Sequence, residues 1–111
     1  MISRLKGQIE ENNLTSVTID VNGVGYKVHC SNEDSKELKV GSKFSIHTFL
    51  DVKEKSMELY GFLNEEDKKL FKLLLTVNGI GPKTALNILN SASPTILIEG
   101  IASGDPKHLQ E

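Results

Sequence analysis

The chain has 111 residues, 25% charged and 38% hydrophobic, with a formal net charge of −2, a composition that fits one ordinary globular domain or two small ones. It has no Trp, and no apolar run approaches the roughly 18 residues a membrane span needs. The single Cys30 cannot close an internal disulfide, and His29, His47 and His108 stand far apart, so a reducing cytoplasmic setting with no metal and no cofactor is expected.

Residues 1–62 read as a β unit. Strands are expected over 3–10, 16–21, 26–30, 43–52 and 57–62, separated by the turn signals Glu11-Asn12-Asn13, Asn22-Gly23 and Val40-Gly41-Ser42. The polar stretch 32–38 is read as one helical turn before the fourth strand. Val21-Asn22-Gly23-Val24-Gly25 holds a Gly-x-Gly string, but Val17, Ile19 and Val21 before it and Tyr26 and Val28 after it alternate, so it is a β-hairpin turn. Five short, closely spaced strands suggest a small barrel, and the OB-fold is the five-stranded nucleic-acid-binding version. A barrel that serves only assembly is the alternative. The polar turn Asp51-Val52-Lys53-Glu54-Lys55-Ser56 joins the fourth and fifth strands. An acidic group there would repel phosphates and so exclude a wrong shape; a solvated hairpin tip is the plainer reading.

At Asn64 the period changes. Asn64 is placed to cap a helix with Glu65, Glu66 and Asp67 in its first turn, where negative charge suits the dipole. Leu70, Leu73, Leu74 and Val77 recur at helical spacing, and Phe71 and Leu75 widen the stripe. Then comes Asn78-Gly79-Ile80-Gly81-Pro82-Lys83-Thr84, and a second helix over 82–90 burying Ala85, Leu86, Ile88 and Leu89. Pro82 at the first helical position sacrifices no hydrogen bond, and the unpartnered first amides of that helix favour an anion. Helix, Gly-x-Gly turn, helix is the helix-hairpin-helix pattern, which grips a nucleic-acid phosphate through backbone amides; a purely structural αα-turn is the alternative. Ser93-Pro94 opens a further helix to about Ala102, Gly104 ends it, and Asp105-Pro106 begins another five residues before the chain stops, as a fragment would.

Other chemistry is poorly supported. Pro82 separates Gly81 from Lys83 and position 76 is Thr, so there is no nucleotide-binding P-loop. Asp105 occupies the region where helix-hairpin-helix glycosylases carry a catalytic Asp, yet it reads better as a helix cap, and the helical half is too short to hold a flipped base. Charge speaks against a strong duplex binder: residues 1–62 hold 8 Lys+Arg and 9 Asp+Glu, and residues 63–111 hold 5 and 6. Useful affinity would need several copies acting together. A stand-alone module for single-stranded nucleic acid is the rival reading, and it requires stacking aromatics on the barrel face.

Five stretches carry a resemblance: Met1-Ile2-Ser3-Arg4-Leu5-Lys6-Gly7, Gly23-Val24-Gly25-Tyr26-Lys27-Val28, Leu59-Tyr60-Gly61-Phe62, Leu70-Phe71-Lys72-Leu73-Leu74 and Asn78-Gly79-Ile80-Gly81-Pro82-Lys83-Thr84-Ala85-Leu86. In that order they resemble the RuvA family, the Holliday-junction-binding subunits of bacterial branch-migration complexes. The resemblance implies an α+β chain, with a five-stranded OB-fold barrel over residues 1–63 and an all-α helix-hairpin-helix domain over 64–111 holding the first hairpin only. It implies a non-catalytic homotetramer that holds four-way junction DNA open for ATP-driven branch migration by the motor RuvB in recombination and repair. RuvB would be met through a C-terminal domain not represented in these residues. It implies a DNA-backbone site at Gly79, Ile80, Gly81, Pro82, Lys83 and Thr84, with Ile80 packing the turn. It also implies an acidic pin at Lys53-Glu54-Lys55, where the family's second acid is replaced by lysine.

Overall fold

A computed structural model describes residues 1–91. The helix expected from Ser93-Pro94, its stop at Gly104 and the start at Asp105-Pro106 lie outside the described residues. The elements are β1 (Arg4–Asn12), β2 (Ser16–Val21), β3 (Val24–His29), α1 (Asn32–Glu37), β4 (Lys43–Val52), β5 (Met57–Phe62), α2 (Glu65–Leu74) and α3 (Pro82–Ser91). Two compact units divide the chain, Met1–Lys68 and a second that begins at Lys69.

In the first unit, period-two alternation sends Leu5, Ile9, Val17, Ile19, Val28, Ile46 and Leu59 to one side, where they form the core. The sheet closes on itself in the order β1-β2-β3-β5-β4, with β4 returning to β1. All pairs are antiparallel except β3 with β5, which run parallel through Val28↔Leu59. This is the five-stranded barrel expected of an OB-fold. Closure leaves no unpaired edge to template aggregation.

Two glycines let the barrel close. A Cβ on Gly7 would stand 2.1 Å from the Asp20 carbonyl oxygen on β2, and one on Gly61 would stand 2.3 Å from Val28 Cγ1. The Asn22-Gly23 turn is as expected: φ is 52° and 91° at its two residues, the left-handed pair that a two-residue hairpin needs, and Val21 pairs with Val24. Gly25 therefore lies in β3 opposite Asp20, which starts that strand two residues earlier than its alternation suggests.

β1 runs on where a turn was expected. A register shift between Ile9 and Glu11 lets Glu11 and Asn12 pair with Thr18 and Val17. Asn12 then acts as a local clamp. Its Nδ2 donates to the carbonyls of Ser35 at 2.7 Å and Leu38 at 2.9 Å, while its Oδ1 accepts from Leu14 N. The polar stretch 32–38 is a helix because Ser31 caps it, its Oγ accepting from Asp34 N at 3.1 Å.

Cys30 is buried in the core, and burial, aided by the charge of Asp34, pushes its thiol up to about 12. It stays protonated and serves as packing.

Asp34 is a buried carboxylate with a defined task. Its Oδ2 accepts from Leu63 N at 3.2 Å, holding α1 to the segment that leaves β5. Burial raises its pKa above 3.8; the Leu63 bond opposes that, and Asp67, Glu37 and Glu33 add to the rise. Asp67 is raised too, by burial and then by Glu33 and Glu66. A carboxyl raised in the folded state binds its proton more tightly there than when unfolded. Its contribution is complete below 3.8 and is lost as pH rises through the folded value. Asp34→Asn keeps an acceptor for Leu63 and removes the charge. At about pH 7 the variant is expected to melt higher than the parent, and to converge with it near pH 4. Thermal melts across this range check it; a variant that melts lower at neutral pH would show the charged bond to be the larger effect.

In the second unit, Phe71, Leu74, Ile80, Ala85, Leu86 and Ile88 are buried. The stripe on α2 centres on Phe71 and Leu74, whereas Leu73, expected on the same face, is 42% exposed.

Candidate nucleic-acid interface

The hairpin is built by the way α2 stops. Leu75 N donates to Phe71 O, then Thr76 N to Leu73 O and Val77 N to Leu74 O, so the last turn tightens to three-residue bonds. Thr76 Oγ1 also donates to Leu73 O at 2.6 Å, which competes with helix continuation. Ile80 N donates to Val77 O at 3.1 Å, closing a β-turn over residues 77–80. Gly79 is its third residue with φ +87°, the position that excludes most side chains. Ile80 is 6% exposed and anchors the turn from inside.

Gly81 differs from Gly79. Its φ is not positive, and a Cβ there would meet nothing within 4 Å. The fold does not require glycine at 81. Its carbonyl accepts from Ala85 N at 2.9 Å, so Gly81 is the N-cap of α3 and Pro82, Lys83 and Thr84 are its first three residues. Among the described residues, no protein acceptor takes the amides of Gly79, Gly81, Lys83 or Thr84. Ile80 does not share this freedom, since its amide is occupied by Val77. Pro82 has no amide. Ala85, Leu86 and Ile88 hold one face of α3 inside, which leaves Lys83 and Asn87, four residues apart, on the exposed face. Four amides without a protein acceptor among the described residues, a helix N-terminus and one exposed lysine are chemically suited to an anion without a basic surface.

The second expected feature lies in the other unit. Lys53, Glu54, Lys55 and Ser56 form the exposed tip between β4 and β5, closed by Lys53 N to Ser56 O at 2.8 Å. Lys53 does not point its charge outward unopposed: its Nζ lies 3.6 Å from Asp51 Oδ2 on the hairpin stem. Glu54 and Lys55 are left as the charges at the tip. Asp51 stands opposite Glu58 across the stem, and Glu58 Oε2 is 2.7 Å from His29 Nε2 on β3. His29 in turn stacks obliquely on Tyr60, with centroids 5.3 Å apart. Sequence reading missed this brace of Asp51, Glu58 and His29, because β3 and β5 meet only through the parallel pairing and no local spacing signals it. The stem also carries two exposed apolar residues, Val52 and Met57, as its last rung.

Aromatics give little to a single-strand reading, since Tyr60, Phe62 and Phe71 are all buried. Among the described residues no group of three or more His, Cys, Asp or Glu is placed to hold a metal ion, and no helix is long and apolar enough to cross a membrane.

Residues 1–61 match the family model described as the RuvA N terminal domain. The chain belongs to the RuvA family. Residues 71–111 also match a model described as a SAM-like helix-hairpin-helix tandem. Among RuvA relatives, the protein named Holliday junction branch migration complex subunit RuvA of Syntrophomonas wolfei is 46% identical over 110 residues, covering 98% of this chain and 55% of the relative. Its namesake in Chloroherpeton thalassium is 40% identical with the same two coverages. The Fusobacterium nucleatum protein of that name is 37% identical over 111 residues, 100% of this chain and 57% of the relative. The chain therefore spans about half the length of the curated relatives it matches. Barrel and hairpin occur in the order that the RuvA resemblance implies.

Proposed function

We propose that this chain is a non-catalytic scaffold that binds four-way DNA junctions. In this reading residues 1–63 form the barrel domain and 64–111 the hairpin domain. The observation that carries the reading is the set of amides at Gly79, Gly81, Lys83 and Thr84 that have no protein acceptor among the described residues, around a glycine whose Cβ would meet none of them within 4 Å. Amide-to-phosphate contacts fix position on a backbone without reading bases, so recognition follows junction shape. The relatives' shared name, a Holliday junction branch migration complex subunit, supports the same substrate. A homotetramer would multiply four weak hairpins into useful avidity, and the motor would be the partner RuvB. Lys53, Glu54 and Lys55 form the pin region, with Glu54 its acid.

Mobility-shift titrations of a four-way junction, a matched duplex and a single strand of mixed sequence, repeated across salt, test the proposal. Preference for the junction at every salt is expected; equal affinity for all three removes it. Glu54→Gln is expected to narrow the preference of junction over duplex by about two- to fivefold, since one repulsive charge is worth up to about 1 kcal/mol at an exposed site. The ratio of the two dissociation constants measures it, and an unchanged ratio would make the tip merely solvated.

A further inference from the structure

Bulk charge conceals a basic strip on the barrel. Across the β1–β4 ladder, Arg4 pairs with His47, Lys6 with Ser45 and Gln8 with Lys43. Leu5 and Ile46 between them face the core, so these six residues share the outward side. No carboxylate stands among the six. Arg4, Lys6 and Lys43 are exposed, and among the described residues none of the three has an ion-pair or hydrogen-bond partner. Lys53, by contrast, is drawn to Asp51.

The strip runs into an open groove of about 510 Å³, lined by Lys6, Gln8, Lys43 and Phe44 and by Asp20 and Asn22 of the β2 hairpin. Gly7, where β2 approaches β1 without a side chain between them, also lines the groove. Asp20 is the one carboxylate lining it, and it marks the end of the strip.

We propose that this face is a second contact for DNA backbone, separate from the hairpin, with Arg4, Lys6 and Lys43 each opposing a phosphate. The five residues from Arg4 to Gln8 extend about 14 Å, and B-DNA carries one phosphate per strand for about every 3.4 Å of helix axis. The strip therefore spans about four base-pair rises of a duplex, long enough for its three cations to oppose separate phosphates. A protein partner fits less well, because the centre of a protein interface is depleted of charge and built on buried aromatic or aliphatic anchors, whereas this strip is cationic along its length. In a chain of net charge −2, three unopposed cations on one ladder are charge complementarity for a polyanion.

This inference rests on the reading of the chain as a junction binder, and its test separates the two. Fluorescence anisotropy with a labelled mixed-sequence four-way junction gives log K against log salt for the parent chain, for Arg4→Gln, Lys6→Gln and Lys43→Gln singly and combined, and for Lys27→Gln on β3 as a control. Per protomer bound to the junction, each strip substitution is expected to reduce the salt slope by about 1 and the triple variant by about 3, with the control unchanged. Melting curves check the fold; if the triple variant does not fold, the three single slopes decide. An unchanged slope in folded variants, with the parent still binding, overturns the strip and leaves the hairpin reading standing. A parent chain that binds no junction sinks both. A change of sedimentation mass in the variants would make the strip an interface between copies, which also overturns the proposal.

Discussion

Gly81→Val is expected to weaken four-way junction binding tenfold or more while lowering the melting point by only a few degrees, the cost of replacing glycine at the N-cap of α3. The two halves of this expectation come from different observations. Among the described residues a Cβ at 81 meets no atom within 4 Å and the backbone is not left-handed there, so a side chain can start at this position without a clash at its first atom. The same open space is where a phosphate must come within about 3 Å of the Gly81 amide, and a branched side chain occupies it. Loss of one or two charge-assisted bonds at about 1.5–3 kcal/mol each gives at least a tenfold effect. Gly79→Ala provides the contrast. At φ +87° the cost falls on the fold, about 1 kcal/mol of strain, with no clash to add to it. Binding isotherms and melts on the two variants separate a glycine kept for a ligand from one kept for a turn. A Gly81→Val protein that unfolds would assign that residue to the structure instead.

Gly7→Ala is expected to cost about 3 kcal/mol or more, lowering the melting point by roughly 10–20 °C. The added methyl would sit 2.1 Å from the Asp20 carbonyl oxygen and 2.9 Å from its carbon. Both are backbone atoms in a paired strand, so no rotamer change relieves the contact. β1 and β2 would have to separate next to the Gln8↔Asp20 rung. In a closed barrel that displacement passes to the β1–β4 seam as well, because Gly7 also pairs with Phe44. Thermal denaturation measures it. A variant within a degree or two of the parent would mean that the strands can slide apart cheaply, and the close approach would then not be a condition of closure.

Much of this architecture could be read from the chain because local signals and tertiary structure agree. Asn22-Gly23 between alternating runs specified its turn, and the switch from period two to helical spacing at Asn64 marked the onset of α2, where Asn64 Oδ1 accepts from Glu66 N at 2.8 Å. Gly79, Ile80 and Pro82 were legible because each has a conformational reason to be there, whereas Gly81 has none in the fold itself. Where reading fell short, the deciding interaction was distant in sequence. Glu11 and Asn12 look like turn residues, but Asn12 meets carbonyls of Ser35 and Leu38, and that clamp keeps β1 extended past its bulge. Leu73 fits the helical stripe as well as Phe71, and only packing decides which of the two is covered. The basic strip was invisible to charge counts by segment because Arg4, Lys6 and Lys43 become neighbours through ladder register.

The most direct test of amide capture is a titration of the ¹⁵N-labelled chain with a four-way junction, followed by amide resonances. Gly79, Gly81, Lys83 and Thr84 should shift saturably, with a larger response than Ile80, whose amide already serves Val77. If those four stay still while the chain binds, the junction is held elsewhere and the hairpin is only a turn.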